Sequence, residues 1–347
     1  MYRGRVKRAF ISSLALLSIT SAGLVACSST PETPSGATGA GGSTTATAGS
    51  SSTGDTTSSS GGASPTSTST TGAGGGSTAA CTETKFGDDR PVALHIPKSY
   101  SCDKGAPLVI MLHGYTVSSA TEELYLNITK ESEKRGFLYA HPDGTKDSMN
   151  NPFWNATDAC CNFNGSMIDD SAYISKIIKD VEAAYNVDAK RVYLIGHSNG
   201  AFMSYRMACE HGDQIAGIAS LAGAMYTDVT KCAAANPVSV LQIHGTADMT
   251  IAYGGGSIGP NTFPGATTSV GDWVTIDACG ATPDTTAAAL DLDTGLPGAE
   301  THITQYTGCK SGTAVSLWTI EGGSHIPAFS SAFIPGVMDF LYAHPKP

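Results

Sequence analysis

Residues 192–206 read VYLIGHSNGAFMSYR, and this stretch decides the fold. Four apolar residues lead into Gly-His-Ser-Asn-Gly at 196–200, and a helix-like sequence follows. A serine on a sharp turn between a strand and a helix has an exposed hydroxyl, and side chains in place of the two glycines would crowd that turn. The stretch therefore predicts a nucleophile elbow with Ser198 as the nucleophile.

The same five-residue pattern occurs a second time, at 255–259 around Ser257. That copy follows a run of glycines and precedes Pro260, without a helical pattern after it. Because the elbow needs a strand before it and a helix after it, the pattern favours Ser198 over Ser257.

Strand and helix patterns alternate over residues 81–347. The strand patterns cover 92–96, 107–113, 137–141, 191–195, 215–221, 238–243, 303–306 and 314–320. The helix patterns cover 121–135, 170–185, 199–210, 268–278 and 330–343. Apolar runs without strict alternation are typical of parallel strands buried on both faces. We predict a single α/β catalytic domain with a mostly parallel sheet and helices on both faces.

A serine nucleophile needs a base and an acid that orients the base. On an elbow-bearing sheet the acid and then the histidine follow the serine along the chain. Asp248 comes just after the strand pattern at 238–243 and is the predicted acid. No apolar run directly precedes its competitors, which are Asp228, Asp272 and Asp277.

The predicted base is His325, which lies between the last strand pattern and the last helix pattern. His302 falls within a strand pattern and His344 lies near the end of the sequence, so both are expected at the surface. His197 and His244 are expected to be buried by the elbow and by the acid loop, in structural roles.

An oxyanion hole needs backbone N–H groups aimed at the developing negative charge. The residue after the nucleophile, Asn199, is expected to supply one. The loop after the strand that ends at His113-Gly114 is expected to supply the other, from Tyr115.

Residues 1–27 are typical of an export signal. Basic residues precede a short apolar run at 9–17, and small residues lead to Cys27. The run is short for a membrane span, the alternative interpretation. The tetrapeptide Leu24-Val25-Ala26-Cys27 resembles a lipoprotein lipobox, which predicts lipidation of Cys27 and a place in the cell envelope, at the outer membrane. Ordinary cleavage and release outside the cell is the alternative.

The next segment, 28–80, is expected to be a disordered linker. All of its residues except Glu32 and Asp55 are Ser, Thr, Gly, Ala or Pro, which cannot build a core. The whole chain carries a formal net charge of −10, from 20 basic and 30 acidic side chains. That balance disfavours a nucleic-acid partner, because phosphate binding requires a basic surface.

Eight cysteines follow Cys27, and an even number in an exported chain predicts four disulfides. They are Cys81, Cys102, Cys160, Cys161, Cys209, Cys232, Cys279 and Cys309. No CxxC pair is present, so a zinc site is not expected. Their order favours Cys81 with Cys102 and Cys279 with Cys309. The neighbours Cys160 and Cys161 are expected to pair with Cys209 and Cys232, not with each other.

Several short segments together resemble the polyhydroxybutyrate depolymerase and feruloyl and acetylxylan esterase group of α/β-hydrolases, over about residues 90–345. They are His113-Gly114, Pro142-Asp143-Gly144, Trp154-Asn155 before Cys160-Cys161, Asp169-Asp170, Gly196–Gly200, Met207–Glu210, His244–Asp248 and Gly322–His325. The resemblance implies an α/β-hydrolase fold and maps the family's nucleophile, acid and base onto Ser198, Asp248 and His325. The sequence departs from the family at Ser324, where a third glycine is usual, and at Ile326, where a tryptophan is usual.

The expected function is that of an exported serine carboxylic-ester hydrolase acting on polymeric or polysaccharide-linked esters, without metal or organic cofactor. A peptidase or thioesterase of the same fold is one alternative, and a non-catalytic surface adhesin or polysaccharide-binding module is another. Tyr115, Phe153 and Trp154 are expected either to line an aromatic cleft or to pack in the core. The oligomeric state stays open.

Overall fold

The computed structural model of the chain describes residues 81–232, 234 and 236–347. The export signal with Cys27 and the linker at 28–80 lie outside the described residues. Within the described part of the chain, no helix is both long and apolar enough to cross a membrane.

The centre of the fold is a nine-stranded sheet. The described residues form the strands β1 (Lys85–Phe86), β2 (Val92–His95), β3 (Ala106–Leu112), β4 (Leu138–Ala140), β5 (Thr145–Lys146), β6 (Pro152–Phe153), β7 (Val187–His197), β8 (Gly217–Leu221), β9 (Ser239–Gly245), β10 (Gly255–Ile258), β11 (Asn261–Pro264), β12 (Thr301–Tyr306) and β13 (Val315–Ile320). Of these, β5 with β6 and β10 with β11 form two separate two-stranded sheets. The sheet order is β1-β2-β4-β3-β7-β8-β9-β13-β12. The pairs from β4 to β13 are parallel, and those at the two edges are antiparallel.

Helices cover both faces of this sheet. They are α1 (Ser119–Leu126), α2 (Ile128–Arg135), α3 (Asp170–Ala184), α4 (Asn199–Glu210), α5 (Ala266–Ile276) and α6 (Phe333–Ala343). Alternate residues of β3 belong to two separate hydrophobic cores. Leu108 lies in the core that includes side chains of α3, α4 and α5. Val109 lies in the core that includes side chains of α1, α2 and α6. This two-sided burial explains the continuous apolar strands.

The single helix expected over 121–135 is wrong, because two helices cover this segment. Asn127 has φ 52° and ends α1, with its N–H bonded to the carbonyl of Glu123. The Glu123 carboxylate then accepts the N–H groups of Ile128 and Thr129 at the start of α2, at 3.3 and 2.8 Å. Asparagine tolerates this left-handed conformation better than most residues, so the chain turns there.

The disulfides follow the sequence-based pairing in two cases and depart from it in the others. Cys81 is bonded to Cys102, and Cys279 to Cys309. The expected pairing of Cys160 and Cys161 with Cys209 and Cys232 is wrong. Cys209, in the last turn of α4, lies 4.9 Å from Cys232 between Cα atoms and is bonded to it, within the normal disulfide span. Cys160 is bonded to Cys161 across a cis peptide that brings their Cα atoms to 3.1 Å.

The Cys279–Cys309 bridge joins the segment after α5 to the segment between β12 and β13, across 30 residues. Closing a loop of this length restricts the unfolded chain and stabilises the fold by about 3 kcal/mol. We expect replacement of both cysteines by serine to lower the free energy of unfolding by about that amount, as measured by urea denaturation. Peptide mapping without reduction must yield a linked pair containing Cys279 and Cys309. Either cysteine found as a free thiol would contradict the assignment.

Candidate active site

Ser198 lies between the end of β7 and the start of α4, with φ 53° and ψ −119°. Its N–H donates to the carbonyl of Leu221 on the neighbouring strand at 2.8 Å, which anchors the turn. The flanking glycines have a steric reason: a Cβ on Gly196 would collide with the carbonyl of Gly200, and one on Gly200 with the carbonyl of Leu112. The strand, turn and helix around Ser198 have the geometry of a nucleophile elbow. Ser257, in contrast, lies on the β10–β11 hairpin.

Asp248 lies in the loop after β9 and is 4% exposed. Its Oδ1 accepts the N–H groups of Thr250 and Ile251, both at 2.8 Å, which fix the carboxylate. Burial alone would raise the pKa of Asp248, but hydrogen bonds with His244 and His325 outweigh it and hold the pKa well below its ordinary value. The carboxylate is therefore ionised at neutral pH and presents Oδ2 to a partner.

That partner is His325, in the loop between β13 and α6. Its Nδ1–H donates to Asp248 Oδ2 at 2.7 Å, which leaves Nε2 available to exchange a proton with a hydroxyl. Asp248 thus joins the predicted base, 77 residues away in sequence, through a short hydrogen bond.

The loops that bear Asp248 and His325 are fastened to each other. Ala247 N–H donates to the carbonyl of Gly323 at 2.9 Å, and Gly322 N–H donates to Thr246 Oγ1 at 2.8 Å. A Cβ on Gly245 would collide with the Gly323 carbonyl, so the backbones are in close contact. Ser324 is exposed, so its replacement of a glycine does not prevent the contact between Asp248 and His325.

The competing residues have other contacts. Asp228 accepts from Thr230 at the start of a short 3-10 helix (Val229–Lys231). Asp277 accepts from the Thr313 hydroxyl at 2.9 Å, and burial raises its pKa to about 6. His302 is exposed on the edge strand β12, and His344 is bonded to the Phe340 carbonyl on α6. Asp272 lies on α5, where burial raises its pKa.

The two predicted oxyanion residues flank Ser198. Asn199 is the first residue of α4, where helix N–H groups lack partners within the helix. The backbone before Tyr115 lies against Ser198, because a Cβ on Gly114 would be 3.4 Å from the Ser198 Cβ. The Asn199 side chain clamps Trp154 through both amide atoms, accepting its N–H at 2.7 Å and donating to its carbonyl at 3.0 Å. Both N–H donors proposed for the oxyanion are thus next to the elbow in sequence or in space.

Either an aromatic cleft or packing against the protein is expected for Tyr115, Phe153 and Trp154, and the structure buries two of the three. Phe153 and Trp154 are buried at 2% and 0% exposure, so they pack in the core. Tyr115 is half-buried, and its ring meets that of Phe163 edge to face at 5.4 Å between centroids. Phe163 is exposed, so these two rings form an aromatic surface beside the elbow.

His113 and His244 are both buried, and the contacts of His113 fix a neutral tautomer. His113 Nδ1–H donates to the Gly114 carbonyl at 2.7 Å, while its Nε2 accepts the Gly144 N–H at 2.9 Å. Burial lowers the pKa of His113, in agreement with this neutral form. His244 Nε2–H donates to the Ile251 carbonyl at 2.7 Å, and its Nδ1 accepts from Gln242 at 3.1 Å.

His197 is also buried, as the sequence predicts, but it is hydrogen-bonded to a carboxylate, which His113 is not. Its Nδ1 is bonded to the carboxylate of Glu122 on α1. No motif in the sequence singles out Glu122, because only its charge distinguishes it within a polar segment.

Among the described residues, 81–232, 234 and 236–347, no group of three or more His, Cys, Asp or Glu side chains is placed to hold a metal ion.

The sequence model of the Phospholipase/Carboxylesterase family matches residues 100–262, which include the elbow and Asp248. This chain has an α/β-hydrolase fold. The fold predicted from the sequence and the resemblance to the esterase and depolymerase group are both confirmed. The structure of an acetyl xylan esterase from Aspergillus awamori has the same fold, with a TM-score of 0.54 at 15% identity, over 73% of this chain and 94% of that one.

Two relatives show what this chain is similar to. Feruloyl esterase B of Piromyces equi is 30% identical over 244 residues, which cover 68% of this chain and 42% of that protein. Poly(3-hydroxyalkanoate) depolymerase C of Paucimonas lemoignei is 30% identical over 139 residues, 40% of this chain and 31% of that protein. The chain spans about half or less of the length of the curated relatives it matches first.

Proposed function

We propose that this chain is a serine carboxylic-ester hydrolase with a triad of Ser198, His325 and Asp248. The observation that carries the proposal is the 2.7 Å hydrogen bond from His325 Nδ1 to a buried, ionised Asp248, at the same edge of the sheet as the elbow. A carboxylate in this position fixes the imidazole tautomer and stabilises the imidazolium that forms during acyl transfer.

In the proposed reaction, Ser198 Oγ attacks the ester carbonyl carbon while His325 Nε2 takes the hydroxyl proton. The carbonyl oxygen becomes negative and accepts hydrogen bonds from the N–H groups of Tyr115 and Asn199. The C–O bond to the alcohol then breaks, and His325 gives its proton to the departing oxygen. Water attacks the acyl-serine with His325 again as base, which releases the carboxylic acid and restores Ser198.

The substrate class we propose is a polymeric or polysaccharide-linked ester, with feruloyl, acetyl or hydroxyalkanoate acyl groups. The relatives support it, since they include a feruloyl esterase, a bifunctional acetylxylan esterase/xylanase and a poly(3-hydroxyalkanoate) depolymerase. The aromatic surface of Tyr115 and Phe163 would suit the aromatic ring of a feruloyl group among these candidates.

Product analysis with the full chain tests this proposal. The substrates are feruloylated arabinoxylan, acetylated xylan and a hydroxybutyrate polyester, with a p-nitrophenyl ester as a small reference, and Ser198→Ala is the matched control. We expect release of free acid from at least one polymer by the wild type only. Binding of a polymer without hydrolysis of any ester would favour an adhesin, and hydrolysis restricted to peptides or thioesters would favour a peptidase or a thioesterase of the same fold.

We also propose that the protein is exported and anchored to the cell envelope through a lipid on Cys27. The sequence of residues 1–27 supports it, and so do the four disulfides between described residues, since such bonds persist in oxidising compartments. The segment 28–80 would separate the domain from the membrane and let it reach polymers at a distance.

The anchor predicts a specific result for Cys27→Ala. We expect this variant to lose incorporation of a labelled fatty acid and to leave the membrane fraction, because at least two acyl chains are needed for firm anchoring. Ser198→Ala is the control and should keep both label and membrane association. A wild-type protein found unlabelled in the medium would refute the lipid anchor.

A further inference from the structure

Glu122 and His197 form a buried contact next to the proposed triad. Glu122, on α1, is 3% exposed, and His197, the residue before Ser198, is 5% exposed. His197 Nδ1 lies 2.9 Å from Glu122 Oε1, and the two residues are 75 positions apart in sequence. The other carboxylate oxygen of Glu122 accepts the N–H of Gly114 at 3.2 Å.

The second ring nitrogen of His197 is also occupied. Its Nε2 lies 3.1 Å from the backbone carbonyl of His325, and the two imidazole rings are 5.2 Å apart between centroids. A carbonyl oxygen can only accept, so Nε2 must carry a hydrogen. An ionised carboxylate can only accept as well, so Nδ1 must carry one too, and His197 is then an imidazolium.

The ionised form of Glu122 follows from its surroundings. Burial acts to raise the pKa of Glu122, but its hydrogen bonds with His197 and with the N–H of Gly114 outweigh burial and lower the pKa. His113 and His244 differ from His197, because each has one ring nitrogen that accepts a hydrogen bond.

The Glu122–His197 pair contacts two loops that the proposed reaction requires, the loop with the oxyanion donor and the loop with the base. Gly114 directly precedes Tyr115, the proposed oxyanion donor, and the His325 carbonyl belongs to the proposed base. Helix α1 also bonds directly to the loop that bears His325, since the Tyr125 hydroxyl donates to the Pro327 carbonyl at 2.8 Å. One helix therefore fixes the oxyanion loop, the elbow and the base loop relative to one another.

We propose that Glu122 and His197 are a buried carboxylate–imidazolium pair of positioning residues, which hold the His325 loop and the Gly114–Tyr115 loop in register with Ser198. The proposal rests on the proposed ester hydrolysis for its kinetic consequence, while the protonation state of His197 is independent of any activity. Neither residue touches substrate. Their effect is on the placement of the base and of the oxyanion donor, where an error near 1 Å costs about 100-fold in rate.

Nitrogen-15 NMR of histidine-labelled full chain tests the protonation directly. We expect His197 to show two protonated ring nitrogens at neutral pH, because both face hydrogen-bond acceptors. The other titratable groups that face the pair are His113, Tyr125 and His325. Glu122→Gln should convert His197 to the neutral form with a bare Nδ1. A neutral His197 in the wild type would overturn the proposal.

Kinetics test the positioning role. His197→Phe keeps a ring of similar size but removes both hydrogen bonds, so we expect kcat to fall about 10- to 100-fold with KM little changed. Glu122→Leu should behave in the same way. Glu122→Gln should restore most of the activity, because its amide can donate to His197 Nδ1 while its oxygen accepts from Gly114.

The matched control is His95→Phe, which removes another histidine facing a glutamate, Glu133 at 3.1 Å, on the outer strand β2. Its kcat should stay at the wild-type value. Titration of Ser198 with a fluorophosphonate counts folded sites, so a purely structural loss would lower the number of sites and leave kcat per site unchanged. That outcome, or a Gln variant as impaired as the Leu variant, would contradict the positioning role. A wild-type protein without esterase activity would refute the proposed function. The NMR measurement would still decide the charge state of His197, because it does not depend on activity.

Discussion

Ser198→Ala is expected to lower ester turnover about 10⁴- to 10⁶-fold, since removal of a triad nucleophile has effects of this size. The hydroxyl oxygen forms the acyl-enzyme bond, so alanine removes the reacting atom itself. The residual rate would come from substrate binding and the oxyanion hole alone. Initial rates with a p-nitrophenyl ester, at matched protein concentration, measure the loss.

Ser257→Ala is the matched control, because Ser257 lies within the same G-x-S-x-G pattern but on the β10–β11 hairpin. Its turnover should equal that of the wild type. Loss of activity in the Ser257 variant, with Ser198→Ala still active, would show that the elbow is not the reactive site.

Asp248→Asn is expected to lower kcat about 10⁴-fold with little change in fold. The amide can donate to Nδ1 of His325, which would stabilise the tautomer that carries its proton on Nε2 and cannot accept from Ser198. The N–H groups of Thr250 and Ile251 would still bond to the amide oxygen, so the loop should keep its position.

Asp272→Asn provides the comparison for this variant, since Asp272 lies on α5 and is a competing candidate for the acid by sequence. We expect it to retain wild-type kcat. Equal losses in the Asp248 and Asp272 variants would point to a general effect of removing a carboxylate and would argue against a triad acid.

The elbow could be found from the sequence because its determinants are local. An apolar strand, two glycines and a helix surround Ser198 within 15 residues. The glycines are required because a Cβ at either position would collide with a backbone carbonyl. Asp248 and His325 are predicted less directly, from their order along the chain and their place after strands. Their contact depends on how β9 and β13 pair, which the chain order does not state.

Other features could not be predicted because they depend on tertiary contacts. Glu122 lies on a polar-looking helix segment, and only the packing of α1 against the elbow buries it beside His197. The pairing of Cys209 with Cys232 depends on where the loop after β8 returns to α4. The helix break at Asn127 cannot be predicted from residue type, because many asparagines occupy ordinary helical positions. The left-handed conformation of Asn127 depends on the hydrogen bonds at the two helix ends around it.

The aromatic residues illustrate the same limit. Phe153, Trp154 and Tyr115 have similar chemistry in the sequence, yet the first two are buried and the third is half-buried beside Phe163. Burial depends on neighbours from distant segments, so a cleft cannot be assigned from aromatic residues alone.

The most direct test of the proposed triad is mass spectrometry of the full chain after reaction with a fluorophosphonate, a reagent that traps activated serines. We expect one adduct, on the peptide containing Ser198, and a strongly reduced yield in the His325→Ala variant because the base no longer activates the hydroxyl. An adduct on Ser257, or equal labelling of Ser198 with and without His325, would contradict the triad.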